Sequence, residues 1–371
     1  MSRTRLITAI ALPMMLLAAA CGSDDSSAED DAAPDTGSEA APETEPASDS
    51  ASASEPTDDE ESGAEAEGLR TTYPLTFETC GVESTLEGPP ESIVVYYEFE
   101  EPLLIWGLGD TIQSWVTFVE GSTYPGLSDA DYEGISTTTD QPSREAILEM
   151  SPDLIVTASD FAWNEEAGFL GREDLNEAGI ATWLPESLCA QDKSDPTPEE
   201  AETLKNRGFD QVLEDITELG VIVDRQAEAA ELVDEMSTKM AEVEARVPEG
   251  DPVRVAILVG PADGSEINGV YTGGTNEDII ERVGGFNPFV SPDRGQYTSF
   301  SAEELVVTPL DVIMTDATMD PGGNDSVLGL FPTWPAAEQG RIGNVAGLVG
   351  SSPGLPWSAE QLFELLYPEE S

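Results

Sequence analysis

The chain has 371 residues, with 15 Lys and Arg against 75 Asp and Glu and no His, a formal net charge of −60. So few cations leave no electrostatic footprint for a phosphate backbone, which excludes nucleic-acid binding. Without His there is no Ser-His-Asp triad. With three Cys and no Cys-x-x-Cys, the composition argues against a structural zinc site.

Residues 1–20, MSRTRLITAIALPMMLLAAA, place Arg3 and Arg5 ahead of an apolar run. Too early and too short for a permanent membrane span, this reads as a secretory signal. It ends in small residues before Cys21 and so resembles a bacterial lipoprotein signal, which implies that Cys21 becomes an acylated first residue. Acyl chains contribute roughly 0.8 kcal/mol per buried CH₂, so several of them hold a protein to a membrane. The usual leucine three places before the Cys is replaced by Ala18, with Leu17 one place further out. The alternative is a plain secreted protein with a spare thiol. Residues 21–69 read as a tether: 22–69 hold 17 acidic side chains, no Lys or Arg and no aromatic residue. Such a segment cannot bury enough surface to fold and repels itself into an extended spacer. From Arg70 onward the count is 13 basic and 58 acidic, a net of −45. That acidity fits adaptation to concentrated salt, where screening acts within a few ångströms. Unfolding measured against NaCl tests this expectation, which fails if molar salt gives no stabilisation.

After LRTTYPLTFETCG, read as a short hairpin, strand and helix alternate. SIVVYYE at 92–98 is an apolar strand rich in β-branched and aromatic residues. EEPLLIWGLGD at 100–110 is a helix closed by Gly107 and Gly109. IQSWVTF is the next strand, 143–150 a helix started by Ser143, and LIVTAS a strand; EDLNEAGI leads by a short helix into the strand ATWLPE. This alternation predicts a parallel α/β sheet. Cys80 and Cys189 lie within it, and outside the cytoplasm an isolated pair favours a disulfide, two buried thiols being the alternative.

The rhythm breaks at 224–247, DRQAEAAELVDEMSTKMAEVEARV, where apolar residues recur at steps of three and four with no Gly or Pro. The pattern predicts one amphipathic helix of about 24 residues, roughly 36 Å long. Pro248, Gly250 and Pro252 end it, and RVAILVG at 254–260 starts a new strand. NEDIIERVGGFNPF at 276–289 matches EEPLLIWGLGD as a helix ending in paired glycines. RIGNVAGLVG then supplies a last strand and PWSAEQLFELLYPEE a terminal helix. The expected fold is α/β: two Rossmann-like lobes with mostly parallel sheets, at 70–223 and 248–371, joined by one long α-helix at 224–247.

One repeat ties the lobes together. SREAILEMSPDLIVTAS at 143–159 and FSAEELVVTPLDVIMTDA at 300–317 both place Ser two residues before Glu, then an apolar helical stretch. In both, Asp follows that Glu by eight residues and a buried-looking strand closes the segment.

The order of PLTFETCG, PPESIVVYYEFEEPLLIWGLGD, REAILEMSPDLIV, the long helix, NEDIIERVGGFNPF and SAEELVVTPLDVI resembles one family. It is similar to the substrate-binding lipoproteins of ABC importers for ferric siderophores, haem and cobalamin, over residues 72–369. The resemblance implies a monomeric, non-enzymatic protein, lipid-anchored on the extracytoplasmic face of the cell membrane. It implies capture of a small iron chelate between the lobes and delivery to an ABC permease with its ATPase. Each lobe of such proteins presents one carboxylate that docks onto permease arginines. By position these are Glu145, ahead of Pro152 and Asp153, and Glu303, where Pro309-Leu310-Asp311 replaces the adjacent Pro-Asp. Glu304 is the alternative at the second site. A Glu after a helix-starting Ser also complements the helix dipole, for about 0.3–1 kcal/mol, whatever else it does.

The resemblance, like the general rule for α/β sheets, puts the ligand at the carboxyl ends of the strands between the lobes. Candidates there are Tyr97, Trp115, Trp163, Tyr271, Tyr297 and Trp357, with Tyr96 and Phe161 nearby. Aromatic faces with one polar group suit a large, partly apolar chelate, although packing is the competing role for each alone. Cations near these loops are few: Arg144, Arg282 and Arg294. A neutral or cationic ferric hydroxamate is therefore favoured over an anionic catecholate or citrate chelate. Haem, which without His needs Tyr or a Met such as Met319 as axial ligand, and cobalamin are alternatives. So is a surface lipoprotein without a transport role. No Gly-x-Ser-x-Gly elbow occurs, and GVYTGGTNED lacks the Lys of a phosphate loop and reads as a turn into a helix. Neither catalysis nor a resident cofactor is expected.

Overall fold

The computed structural model describes residues 70–117, 122, 124–191, 196–260, 269–290, 297–315, 329–344, 348 and 350–368. The signal, Cys21, the tether, Arg294 and Met319 lie outside the described residues.

The first strands form a hairpin. β1 (Leu75–Thr79) and β2 (Val82–Leu86) pair antiparallel across Cys80 and Gly81, whose φ angles are 52° and 73°. Two successive positive φ angles are what a two-residue hairpin turn needs. The first lobe then builds β3 (Ile93–Tyr96), β4 (Ile112–Val116), β5 (Thr137–Thr138), β6 (Leu154–Thr157) and β7 (Ala181–Trp183). Their order is β5-β4-β3-β6-β7 and every pair is parallel. β3 and β6 are buried at every position, which is why IVVY and LIVT show no polar alternation. The helices α1 (Glu100–Ile105), α2 (Arg144–Met150) and α3 (Arg172–Glu177) connect these strands. Cys80 and Cys189 are joined as a disulfide, fastening the hairpin turn to the loop after β7.

Three helices follow: α4 (Pro198–Lys205), α5 (Phe209–Ile222) and α6 (Gln226–Glu244). The last is the connector, and at 19 residues it is shorter than the 24 read from periodicity. Val223, Asp224 and Arg225 interrupt it in front, with Asp224 at a left-handed φ of 58°. The Asp224 carboxylate accepts from Thr71 N at 2.8 Å and from Arg70 at 2.9 Å, so the first described residues of the chain hold the break in place. At 1.5 Å per residue the helix spans roughly 28 Å. Its inner face, Leu232, Met236, Met240 and Val243, is buried at spacings of three and four.

The second lobe contains β8 (Val253–Val259), β9 (Gly269–Tyr271), α7 (Thr275–Arg282), β10 (Gly285–Phe286), β11 (Tyr297–Ser299), α8 (Ala302–Val306), β12 (Val312–Thr315) and β13 (Ile342–Asn344). A C-terminal helix, Leu355–Leu366, packs on α6. The sheet order is β11-β9-β8-β12-β13, with β10 also on β8. β8, β12 and β13 are parallel, whereas β9 and β11 run antiparallel, so this lobe is mixed where the first is not. One continuous core runs from Val94 and Ile155 through Met236 and Met240 to Val255 and Phe363, so both lobes share buried surface with α6. No helix among the described residues is long and apolar enough to cross a membrane.

Candidate ligand cleft and docking helices

The repeat in the sequence is a repeat of hydrogen bonds, its Ser, Glu and Asp each recurring 158 positions on. The Ser143 hydroxyl accepts from Ala146 N and the Ser301 hydroxyl from Glu304 N, both at 3.3 Å. Four residues past each Ser a side chain is sunk in the core, Ile147 and Leu305. Asp153 N and Asp311 N donate to Ser92 O and Arg254 O, at 2.8 and 2.9 Å. Their carboxylates accept in return from Glu91 N and Arg254 N, at 2.9 and 3.2 Å. Each Asp thereby sets the register of its strand, β6 on β3 and β12 on β8.

On this frame Glu145 and Glu303 occupy the same second position of their helices. Both are exposed, with no hydrogen bond or ion pair among the described residues. Glu304 differs: its carboxylate accepts from Ser301 N at 2.9 Å and from the Ser301 hydroxyl at 2.7 Å, a capping box that engages it at its own helix start. Pro309 stands where α2 has Ser151. A residue before proline is pushed out of the helical region, so α8 closes two residues earlier than α2 does.

At the carboxyl end of β3, Tyr97 and Phe99 are both left-handed, with φ of 72° and 79°. Non-glycine residues hold that conformation, at a cost of order 1 kcal/mol each, where their surroundings over-determine it. Here Tyr97 N donates to Val116 O at 2.6 Å, the Trp115 indole donates to Tyr97 O at 3.1 Å, and Gln141 donates to the Tyr97 hydroxyl at 2.6 Å. Trp115 is itself buried and stacks on Tyr132, ring centroids 5.4 Å apart. Tyr132, in the loop stretch LSDADYEG, carries no periodic or motif signal by which the sequence could have singled it out. Trp163 sits on a short turn after β6, its indole N–H buried without a hydrogen-bond partner and Arg172 5.6 Å from its ring. Orphaned buried donors are uncommon and call for an explanation. Tyr271 and Tyr297 are direct partners across the β9–β11 ladder. Trp357 packs edge-on against Tyr124 at 5.1 Å, and the Tyr124 hydroxyl donates to Glu235 of α6 at 2.7 Å. The six aromatic candidates thus fall into two pairs, Tyr97 with Trp115 and Tyr271 with Tyr297, and two separate residues, Trp163 and Trp357.

The lobes meet on carboxylates that sequence reasoning passed over. Glu98 accepts from Ser351 N at 2.7 Å and Glu101 from the Ser352 hydroxyl. Gly350, at φ 114°, makes this approach possible, since a Cβ there would stand 2.4 Å from a Glu98 carboxylate oxygen. Burial pushes the carboxyls of Glu98, Glu100 and Glu101 above their ordinary range, and Glu101 raises Glu100 further by repulsion. Beside them the buried Arg207 side chain donates to Ser187, Thr275, Asp215 and Ser351 at 2.6–2.9 Å, fastening four segments at one point. Burial lifts Asp215 to about 6 even with Arg207 holding it down. GVYTGGTNED is a turn into α7, as its glycines imply. One turn into that helix, burial raises Glu277 to about 7 against the pull of an Asn287 hydrogen bond.

The family described as periplasmic binding protein matches residues 122–344, more than half of the chain. The chain belongs to this family. Among solved structures, a periplasmic binding protein from Veillonella parvula aligns with a TM-score of 0.64 at 16% identity, covering 79% of this chain and 97% of that one. An ABC-type Fe3+-hydroxamate transport system from Saccharomonospora viridis gives 0.63 at 22% identity, covering 79% and 99%. A periplasmic heme-binding protein from Roseiflexus sp. RS-1 gives 0.58 at 17% identity, covering 76% and 99%. At such identities the likeness is one of fold. No curated protein matches the chain. Membership makes this periplasmic binding protein an extracytoplasmic solute-binding protein rather than an enzyme.

Proposed function

We propose that this periplasmic binding protein is the lipid-anchored solute-binding component of an ABC importer, and that its cargo is an iron chelate of neutral or positive charge, a ferric hydroxamate. The observation that carries the reading is the charge where the lobes meet. Glu100 and Glu101 are buried there beside the half-buried Glu98, and Arg207 is committed to four partners. Arg144 is engaged by Phe169 O and Asp174, and Arg282 by Asp278, Glu244 and Asp210. An anionic chelate entering this cleft would meet three clustered carboxyls that burial already drives toward their neutral form, and would find Arg144, Arg207 and Arg282 each committed to other partners. Iron chelates also occur among the similar structures, one of an Fe3+-hydroxamate transport system and one heme-binding.

In this reading Tyr97, Trp163, Tyr271, Tyr297 and Trp357 contact the chelate, and Trp115 supports Tyr132 behind them. The orphaned Trp163 N–H donates to a ligand oxygen. Cys21 carries the lipid, residues 21–69 form the tether, Cys80–Cys189 braces the first lobe, and Glu145 and Glu303 dock on the permease. The body is a monomer with 70–223 and 248–371 as its lobes. Tryptophan fluorescence titrated with ferric hydroxamates, ferric catecholates, haem and cobalamin tests the cargo. Tight quenching by a hydroxamate is expected. Quenching by a catecholate, haem or cobalamin in its place overturns the chelate class, and silence across the panel favours a surface lipoprotein without transport.

A further inference from the structure

Each of the two docking helices carries, beside its carboxylate, an apolar side chain in water. On α2, Glu145 is followed three residues later by Leu148, 48% exposed; on α8, Glu303 is followed by Val306 at 50% and Val307 at 77%. Residues three and four apart share one face of a helix. Each helix is anchored in the core by the residue just before, Ile147 or Leu305, while Leu148 and Val306 face water. A single exposed aliphatic residue is ordinary and calls for no explanation. Recurrence at one offset is different, since Leu148 and Val306 stand 158 positions apart, as do Glu145 and Glu303.

We propose that each lobe docks through a composite patch, a carboxylate with an aliphatic side chain one turn further on. Its occupant is the extracytoplasmic surface of the permease, at two equivalent sites that each pair a cation with an apolar recess. This rests on the docking reading of Glu145 and Glu303. Charge complementarity selects the occupant, because a body of net −45 repels another acidic surface and is drawn to a cationic one. Two patches of the same make on one rigid body fit a partner with two equivalent faces, which a two-fold dimer offers. The aliphatic half has a physical reason. At molar salt the screening length falls to roughly 3 Å, so exposed charges lose their reach. Apolar contact is not screened and is strengthened by excluded salts. The patches also differ: the position after Leu148 is Glu149, whereas the position after Val306 is Val307. The second-lobe contact is therefore the more salt-resistant.

The test uses the full-length lipoprotein and its permease–ATPase complex in nanodiscs, with affinity measured at 0.1 M and 2 M NaCl. Three variants are compared: Glu145→Gln with Glu303→Gln, Leu148→Ser, and Val306→Ser with Val307→Ser. The acid variant is expected to bind about tenfold more weakly at low salt, with a deficit that shrinks at high salt. The aliphatic variants are expected to lose about tenfold at both salts, with the α8 variant the more damaging at 2 M. Thermal melting checks that each variant is folded, and Leu148→Gln, or Val306→Gln with Val307→Gln, replaces the Ser variant of the same helix if that one unfolds. Aliphatic variants that bind like the wild type, beside a weakened acid variant, overturn the composite patch and leave the docking reading standing. An acid variant that binds normally at low salt brings down the docking reading and this proposal with it.

Discussion

The two lobes share a frame and differ at its edges. From Ser143 to Thr157 and from Ser301 to Thr315 the same cap, the same buried anchor and the same strand-registering Asp recur at one offset. Around that frame the five-stranded sheet of the first lobe is wholly parallel, and the lobe also carries a disulfide-tied antiparallel hairpin. The second is edged by antiparallel β9 and β11 and contains no Cys. The repeat persists where a helix must deliver a strand into the middle of a sheet, because a slip of one residue there would turn every side chain to the wrong face. Edge strands face fewer neighbours and are free to diverge.

The largest expected effect follows from that asymmetry. The disulfide closes a loop of 109 residues within the first lobe. By chain entropy a cross-link of that span stabilises by about 4–5 kcal/mol. Cys80→Ser with Cys189→Ser should lower the guanidinium midpoint of the first lobe and leave the second nearly unchanged. Fluorescence from Trp115, Trp163 and Trp183 would then report unfolding before fluorescence from Trp334 and Trp357, with partners mutated to Phe to separate the signals. Coincident transitions in the variant would show that the shared core on α6 couples the lobes more strongly than the cross-link distinguishes them.

A smaller effect separates the lobes by pH. Glu277 of the second lobe is raised to about 7 by burial. A raised carboxyl adds stability that is fully present below its unfolded value near 4.5 and is lost as pH rises through about 7. Asp215 behaves alike between 3.8 and about 6. Stability should therefore fall between pH 5 and 8, by about 1–2 kcal/mol once the partial exposure of Glu277 is allowed for. Glu277→Gln should lessen the slope above pH 6, the remainder coming from the raised carboxyls where the lobes meet. A urea midpoint that holds steady from pH 5 to 8 in the wild type would contradict this.

The same contrast separates what is legible in the sequence from what is not. Buried runs such as IVVY, LIVT and VIMT identified the central strands of both lobes, since strands covered on both faces must be apolar throughout. The Ser–Glu–Asp spacing located α2 and α8. The direction of β9 and β11 was not legible, because GVY and YTS are too short to show a period. The start of α6 is set by Thr71, Arg70 and Asp224, a contact across 153 residues to which local periodicity is blind. The same applies to Arg207, whose partner Ser351 lies 144 residues away, to Glu98, which reads as the end of the strand 92–98, and to Glu101, which reads as the polar start of α1. Acid-rich composition hid them further: among 75 acidic residues these attract no notice until their partners across the lobes single them out.

The finest test concerns the two aspartates that set strand register. Asp153 accepts one backbone N–H at 2.9 Å. Asp311 accepts Arg254 N and also binds both arms of the Arg254 guanidinium, at 2.9 Å each. That guanidinium holds the Asp311 carboxyl below its ordinary value of 3.8, so the contribution is present above that value and is lost as pH falls beneath it. Arg254 is 41% exposed, which limits the ion pair to about 0.5–1 kcal/mol. Asp153→Ala should cost about 1 kcal/mol at low salt, for the backbone donor left unmet, and Asp311→Ala about 1.5–2 kcal/mol, the ion pair being lost as well. In molar NaCl the Asp311→Ala cost should shrink as screening removes the pair's share, while the Asp153→Ala cost stays the same. Urea midpoints of both variants at the two salt concentrations decide it. Equal salt dependence would mean that the Arg254 pair contributes nothing, and that the two lobes hold their strands in register by the same backbone bond alone.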